Sequence, residues 1–363
     1  MLDYNDNKNN SKMQNSKPKR SPLVQNMERK YNTLPIKREL TPEQEQEIKD
    51  FYFNLMGVKN VSTIWHKFCY SRNGIYSKEY IPMTIANILV RWANKCDYRD
   101  AYADKNMLDI VLPSALHPKI IMKNMNGYYY VNNKPVTRED AILLCNNLGR
   151  VIIKPSLKSQ GRDIRIVEIK NGVSDYRNLT VEQLFDLYDK NFCLQEVIKQ
   201  HEKMAKLNDS SVNTIRILTY RSEMEILVLY TAIRIGRSGE SIDNESSGGI
   251  SANIYSDGKI AKYAISKPED GQLETTDNGT VLEGYEVPSY DKAVKLVQEQ
   301  HFQLPFFDIV AWDIAIREDG EPVIIEWNVF PGLSQSACGP ALGQYTERII
   351  TELKEKGKKR NQK

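Results

Sequence analysis

Val310-Ala-Trp-Asp-Ile-Ala-Ile-Arg-Glu-Asp-Gly-Glu-Pro-Val-Ile-Ile-Glu-Trp-Asn-Val329 is the stretch on which the reading of this chain turns. Two strand-like runs flank Asp319-Gly320, the residue pair favoured in a two-residue type I′ hairpin loop. Such a loop pairs Glu318 with Glu321 and so fixes every pair behind it. Val310 then meets Val329, Trp312 meets Trp327, Ile314 meets Ile325 and Ile316 meets Val323, an all-apolar face that reads as core. On the other face Asp313 lies opposite Glu326, Ala311 opposite Asn328 and Ala315 opposite Ile324. Facing carboxylates destabilise a strand pair unless something compensates. The oxygen-only set Asp313, Glu326 and Asn328 suits a hard divalent cation such as Mg²⁺. The alternative is a solvated sheet face with one proton shared between the acids.

Working outward from the hairpin, short β-branched runs separated by turn residues predict strands at 119–122, 128–131, 151–154, 164–169, 192–197, 212–220, 225–235 and 250–255. Helical periodicity intervenes at 138–147, 180–189, 290–301 and 342–356. Upstream, Thr41-Pro42-Glu43-Gln44 is a helix-start signal: a capping hydroxyl, Pro at the first helical position, and a carboxylate and an amide in the first turn. A mostly helical region follows, whose Trp65, Phe68 and Tyr70 read as packing residues. The pattern is α+β: a helical N-terminal region, then two lobes with largely antiparallel sheets. The expected divisions are a disordered basic tail at 1–38, the helical region at 39–108, a small lobe and hinge at 109–200, and a large lobe with the hairpin and a C-terminal helix at 201–363.

The whole chain of 363 residues, 40% of them hydrophobic, can bury a core spanning more than one lobe. Residues 1–38 hold nine basic and three acidic side chains, so the overall net charge of +3 leaves the body slightly acidic. That balance argues against a nucleic-acid-binding surface. Five scattered cysteines without a Cys-x-x-Cys pair fit free thiols in a reducing compartment, and four unpaired histidines make a structural zinc site unexpected. The start of the chain is polar, without the apolar core of a secretory signal, and no apolar run approaches bilayer-spanning length. These features predict a cytoplasmic protein with no transmembrane segment.

Asp313 to Gly332, ending Ile-Ile-Glu-Trp-Asn-Val-Phe-Pro-Gly, resembles the metal-binding end of ATP-grasp enzymes, where an Asp on one strand and a Glu-x-Asn on the next hold the magnesium of Mg-ATP. D-alanine–D-alanine ligases carry a similar Glu-x-Asn-x-x-Pro-Gly ending. Asp104-Lys105-Asn106 looks like the family's Asp-Lys site, Val151-Ile-Ile-Lys154-Pro like its phosphate lysine, Ser156–Gly161 like its phosphate loop, and Gln195-Glu196-Val197-Ile198 like its hinge. Within the superfamily the chain is more closely similar to the sugar-transfer-associated ATP-grasp group linked with cell-surface polysaccharide synthesis. That likeness rests on Ser210-Ser-Val-Asn-Thr-Ile-Arg216, Arg234-Ile-Gly-Arg237, Asp243-Asn244, Gly248-Gly249-Ile250 and Trp65-His66-Lys67-Phe68. Two departures stand out. The phosphate loop has a single glycine, and Ala311 stands where the ligases carry an arginine, whose part Arg216 or Arg234 is expected to take.

The resemblance implies two α+β lobes gripping ATP and Mg²⁺, with Asp313, Glu326 and Asn328 as metal ligands. Lys154 ends an apolar run and needs a polar partner, which a triphosphate would be. Lys105 would add a second positive charge, and the Ser156–Gly161 loop, with Ser156, Ser159 and Gly161, would cradle phosphates. Gln195 and Glu196 would hydrogen-bond the adenine while Val197 and Ile198 flank it. Asn213 and Arg216 are three apart and point to opposite strand faces, and Arg216, with Arg234, is expected in the site as a catalytic guanidinium facing phosphoryl charge. Asp243 and Asn244 are expected substrate contacts. The implied reaction is ATP-dependent, ADP-forming ligation of a carboxylate to an amine through an acyl phosphate, on a sugar or sugar-linked group. Phosphorylation of a sugar or polyol hydroxyl, and nucleotide binding without turnover, are the alternatives.

Overall fold

A computed structural model describes residues 21–158, 161–240, 243 and 248–361. The helical N-terminal region comprises α1 (Pro22–Asn32), α2 (Pro42–Met56), α3 (Ile64–Asn73), α4 (Met83–Ala93) and the short α5 (Arg99–Ala103) and α6 (Leu108–Val111). α2 begins as its sequence dictates: the Thr41 hydroxyl accepts from Gln44 N at 3.3 Å while Thr41 N donates to Gln44 Oε1 at 3.0 Å. It ends at Gly57, whose φ of 74° is the left-handed cap.

The disordered tail expected at 1–38 is corrected from residue 21 onward; residues 1–20 lie outside the described residues. α1 seats Tyr31, with Leu34 beyond it, against Phe68, Cys69 and Tyr80, and the Tyr31 hydroxyl donates to Glu39 at 2.7 Å. Met27, Tyr31 and Leu34, four and three apart, form one apolar stripe that the polar average of the whole segment conceals. Trp65 and Phe68 are buried, as packing residues should be.

The small lobe is a seven-stranded antiparallel sheet built from β1 (Ile120–Met125), β2 (Tyr128–Val131), β3 (Lys134–Val136), β4 (Gly149–Pro155), β5 (Arg165–Lys170), β6 (Val173–Ser174) and β7 (Phe192–Glu196), ordered β3-β2-β1-β7-β4-β5-β6. α7 (Arg138–Cys145) and α8 (Val181–Tyr188) cover one face, burying Val151, Ile153, Val167, Ile169, Phe192 and Leu194. Strand alternation therefore turns Arg150, Ile152, Lys154, Ile166 and Gln195 to the other face.

The large lobe begins at α9 (Glu202–Leu207) and holds a second seven-stranded antiparallel sheet. Its strands are β8 (Thr214–Ser222), β9 (Glu225–Ile235), β10 (Ile250–Ile254), β11 (Ile260–Ile265), β12 (Gln272–Leu273), β13 (Ile309–Ile316) and β14 (Pro322–Asn328), ordered β12-β11-β10-β9-β8-β13-β14. One face packs Ile215, Ile217, Ile233 and Trp312 beneath α10 (Tyr290–His301). α11 (Gln335–Cys338) and α12 (Thr346–Asn361) complete the chain's described elements. On the opposite sheet face, Leu218, Tyr220, Tyr230 and Ala311 are covered by α2, α4 and α12. The rest of that face opens toward the small lobe.

The hairpin departs from the expected two-residue loop. Arg317 N donates to Glu321 O at 3.0 Å and Gly320 N to Arg317 O at 2.8 Å, which encloses three residues. Type I′ needs positive φ at both loop residues, and only Gly320, at 82°, has it; a three-residue loop with glycine in the left-handed position is the outcome. Near the turn Ile316 therefore faces Pro322, Ala315 faces Val323 and Ile314 faces Ile324, correcting the three pairs expected there. A β-bulge at Ile325 then shifts the register back, so that Asp313 faces Glu326, Trp312 faces Trp327 and Ala311 faces Asn328.

Candidate functional site

Between the two sheets lies a cleft of about 1120 Å³. Its small-lobe wall carries Ile152 and Lys154 from β4 and Ile164 and Ile166 on or beside β5; Ile198, Val212 and Ile325 face it from the large lobe. Ile198 and Val212 pack with Ala315, Val323 and Ile325 in a small apolar cluster. The hinge segment is tied to both lobes. Glu196 N donates to Lys119 O, and Lys119 N to Glu196 Oε1, each at 3.0 Å. Farther on, His201 N donates to Ile316 O and Glu318 N to Lys199 O, both at 2.9 Å, which stitches the hinge to the hairpin tip.

Polar groups line up across the large sheet by register. Glu326 on β14 faces Asp313 on β13, which faces Arg216 on β8; Arg234 on β9 faces Thr214 on the same surface. Asp313, its side chain only 4% exposed, accepts Arg234 Nη1 at 3.2 Å on Oδ1 and Arg216 Nη2 at 3.1 Å and Asn328 Nδ2 at 3.5 Å on Oδ2, and its Oδ1 also lies 2.7 Å from Arg216 Nε in an ion pair. Burial raises the Asp313 carboxyl, against the pull of Arg216 and Arg234. Burial also opposes ionisation of Glu326, yet Lys105, Lys154, Arg216 and Arg234 together hold it down at about 2. The facing acids are thus compensated by a cluster of four cations.

Lys105 sits in a short 3₁₀ turn capped by Asp104, whose Oδ1 accepts Asn106 N at 2.9 Å. Its ammonium donates to Lys158 O at 2.7 Å and lies 3.5 Å from Glu326 Oε2, bridging the Ser156 loop and the hairpin. Lys154 is different. It is 5% exposed, lines the cleft, and makes no hydrogen bond or ion pair among the described residues. Burial lowers its pKa. Gln195, across from Ile152 on the same wall, is also buried, and its Nε2 has no hydrogen-bond partner among the described residues.

The family described as sugar-transfer associated ATP-grasp matches residues 103–349. The chain belongs to that family. Among solved structures, this ATP-grasp chain is similar to D-alanine–D-alanine ligase from Bacillus anthracis (14% identity over 72% of this chain and 69% of that one, TM-score 0.40). It is also similar to the ATP-grasp ligase PsnB complexed with a minimal precursor (13%, 76% and 70%, TM-score 0.41) and to VanG D-Ala:D-Ser ligase from Enterococcus faecalis (14%, 70% and 61%, TM-score 0.41). No curated protein matches the chain.

The ATP-grasp chain thus gathers Lys105, Lys154, Gly161, Gln195, Glu196, Val197, Ile198, Arg234, Asp313 and Glu326 around one cleft. Arg216 and Asn328 join through Asp313. Ser156 is fully buried, its hydroxyl has no hydrogen-bond partner among the described residues, and it does not line the cleft; Ser159 and Asn244 lie outside the described residues. Asn213 points away from Arg216 and is structural: its Nδ2 donates to Met204 O at 2.7 Å and Asn208 O at 2.8 Å. Asp243 accepts the Thr214 hydroxyl. Sequence reasoning missed the apolar walls Ile152, Ile164, Ile166, Val212 and Ile325. Alternation against the buried Ile153 and Val167 was the available signal for Ile152, Ile164 and Ile166; Ile325 depends on the bulge.

Among the described residues no three His, Cys, Asp or Glu side chains gather to hold a metal, and no helix is long and apolar enough to cross a membrane. The donor set here is two carboxylates and an amide. That fits a hard cation completing its shell with water and ligand oxygen.

Proposed function

We propose that this ATP-grasp protein is an ATP-dependent, ADP-forming carboxylate–amine ligase acting on a sugar-linked substrate in the cytoplasm. The observation that carries the nucleotide reading is Lys154: a buried lysine on the cleft wall whose ammonium makes no hydrogen bond or ion pair among the described residues, on the same wall as Gln195, whose Nε2 is likewise without a partner among them. A cationic donor on a largely buried side chain, opening only onto the cleft, calls for an anionic, acceptor-rich ligand. Ile152, Ile164 and Ile166 on one side and Ile198, Val212 and Ile325 on the other enclose the base, with Gln195 and the Glu196–Ile198 backbone at its edge. Lys154 and Lys105 hold phosphate oxygens, aided by Gly161 and the Ser156 loop. Asp313, Glu326 and Asn328 would hold Mg²⁺, which neutralises triphosphate charge when bound. Arg216 and Arg234 orient Asp313 and concentrate positive charge where phosphoryl charge develops.

Catalysis in this reading is positioning and charge neutralisation. The carboxylate substrate is activated as an acyl phosphate and the amine displaces phosphate. The sugar-linked substrate and the cytoplasmic setting rest on the family's description and on five cysteines that form no disulfide. The test is a co-substrate screen following ATP-to-ADP conversion, with mass analysis of product and a chelator control. A ligase releases ADP and phosphate only with both co-substrates, and chelation stops it until Mg²⁺ is restored. Phosphate retained on the product would replace this reading with a kinase, and no binding of Mg-ADP at millimolar concentration would end it.

A further inference from the structure

The helical region before residue 103 lies outside the family match, yet one of its arginines reaches into the large lobe. Arg72, in the last turn of α3 and 3% exposed, donates to four backbone carbonyls of a single turn: Ser266 at 2.7 Å, Lys267 at 3.1 Å, Pro268 at 3.2 Å and Gly271 at 3.4 Å. Gln272 Nε2 returns a bond to Arg72 O at 2.8 Å. The gripped turn is itself tied to the start of β10. The Ser266 hydroxyl donates to Gly248 O at 2.7 Å, and Gly248, at φ 97°, is packed so closely that a Cβ there would lie 3.0 Å from Lys267 Cε. Two residues past Gly249, Ser251 faces Arg234 across the sheet; its hydroxyl is buried and has no hydrogen-bond partner among the described residues. The next residue of α3, Asn73, donates to Gln335 O at 3.1 Å, which anchors the segment leaving the Asp313–Glu326 hairpin.

The two segments that α3 holds therefore flank the sheet surface beyond Arg234, on the side away from the apolar base walls. If the cleft takes a nucleotide as proposed above, a second substrate must approach the terminal phosphate from that side. We propose that Arg72 is a positioning residue for the acceptor substrate: it fixes the 266–271 turn and, through Ser266, the Gly248 carbonyl, so that β10 presents Ser251 beside Arg234. The helical region is then part of the acceptor side of the enzyme.

The test compares full-length wild type with Arg72→Met, Arg72→Lys and the milder Ser266→Ala, which removes one hydroxyl and keeps the protein folded if Arg72→Met does not. Hydrogen exchange at 248–254 and 266–273 should accelerate about tenfold or more in Arg72→Met, with 149–155 unchanged and Arg72→Lys intermediate. Mg-ADP affinity should stay within about twofold, while the KM of the acceptor found in the co-substrate screen rises about tenfold and that of ATP does not. Unchanged exchange at 248–254, or acceptor and ATP KM values rising together, overturns the proposal. Wild type that fails to bind Mg-ADP overturns the nucleotide reading instead, and the proposal with it, so the two failures are told apart by the wild-type titration.

Discussion

Replacing Lys154 by Met should strengthen the empty protein and weaken its nucleotide complex. The residue is 5% exposed, its ammonium makes no hydrogen bond or ion pair among the described residues, and Lys105 adds like charge nearby. An uncompensated buried ion carries a desolvation cost of several kcal/mol, part of which Glu326 offsets here, so an apolar residue of similar length should raise stability by about 1–3 kcal/mol. The pH dependence has a definite sign. A lysine whose folded pKa lies below its unfolded value of 10.5 is protonated more in the unfolded chain between those two values. Wild-type stability should then rise relative to Lys154→Met as pH climbs through that window toward 10.5. The complex moves the other way. Losing one charge-assisted contact to phosphate costs about 2–3 kcal/mol, or roughly 30- to 150-fold in the Mg-ADP dissociation constant. Urea unfolding from pH 7 to 10, with and without Mg-ADP, measures both effects. A variant less stable than wild type by 1 kcal/mol or more, with unchanged ADP affinity, would refute the reasoning, because Lys154 would then have a structural partner and no ligand.

Asp313→Asn should cut turnover roughly 100-fold or more and also lower stability by about 3 kcal/mol, because Arg216 and Arg234 lose their shared counter-charge; thermal melts and ATP consumption check both. Deleting Ile325 should remove the bulge, leave Asp313 facing Glu326, and weaken Mg-ADP binding about tenfold through loss of one apolar wall residue; calorimetry that finds affinity unchanged contradicts it. Below pH 6.5 the unfolded chain takes up a proton that buried His301, held near 4 chiefly by desolvation, refuses. Stability should fall by about 2 kcal/mol between pH 7.5 and 5 on its account, a loss that His301→Gln removes from the urea-unfolding pH profile.

Much of this fold was legible because its signals are local. The Tyr128–Val131 and Glu225–Ile235 strands and the Tyr290–His301 helix match their predicted limits, since β-branched runs and 3.6-residue periodicity need no partner to be seen. α1 was hidden because three apolar residues in a polar segment become a helix face only when Phe68 and Tyr80 arrive to cover them. The apolar cleft walls were likewise invisible as walls, because whether an isoleucine faces core or cleft is decided by which sheet face the helices occupy.

The facing of Asp313 and Glu326 is the most instructive case, for it came out right from a loop that is wrong. A two-residue turn would place the acids opposite each other directly. The actual turn holds three residues and shifts the pairing by one, and the bulge at Ile325 shifts it back. Either irregularity alone would set Asp313 against another residue. Because side chains alternate with period two, the bulge also lets two successive residues of β14, Ile325 and Glu326, both reach the cleft opposite Asp313. An ideal hairpin would have sent one of them into the core. The irregular strand thus places an apolar wall and an acid side by side, which is what a ligand with an apolar end and a charged end requires.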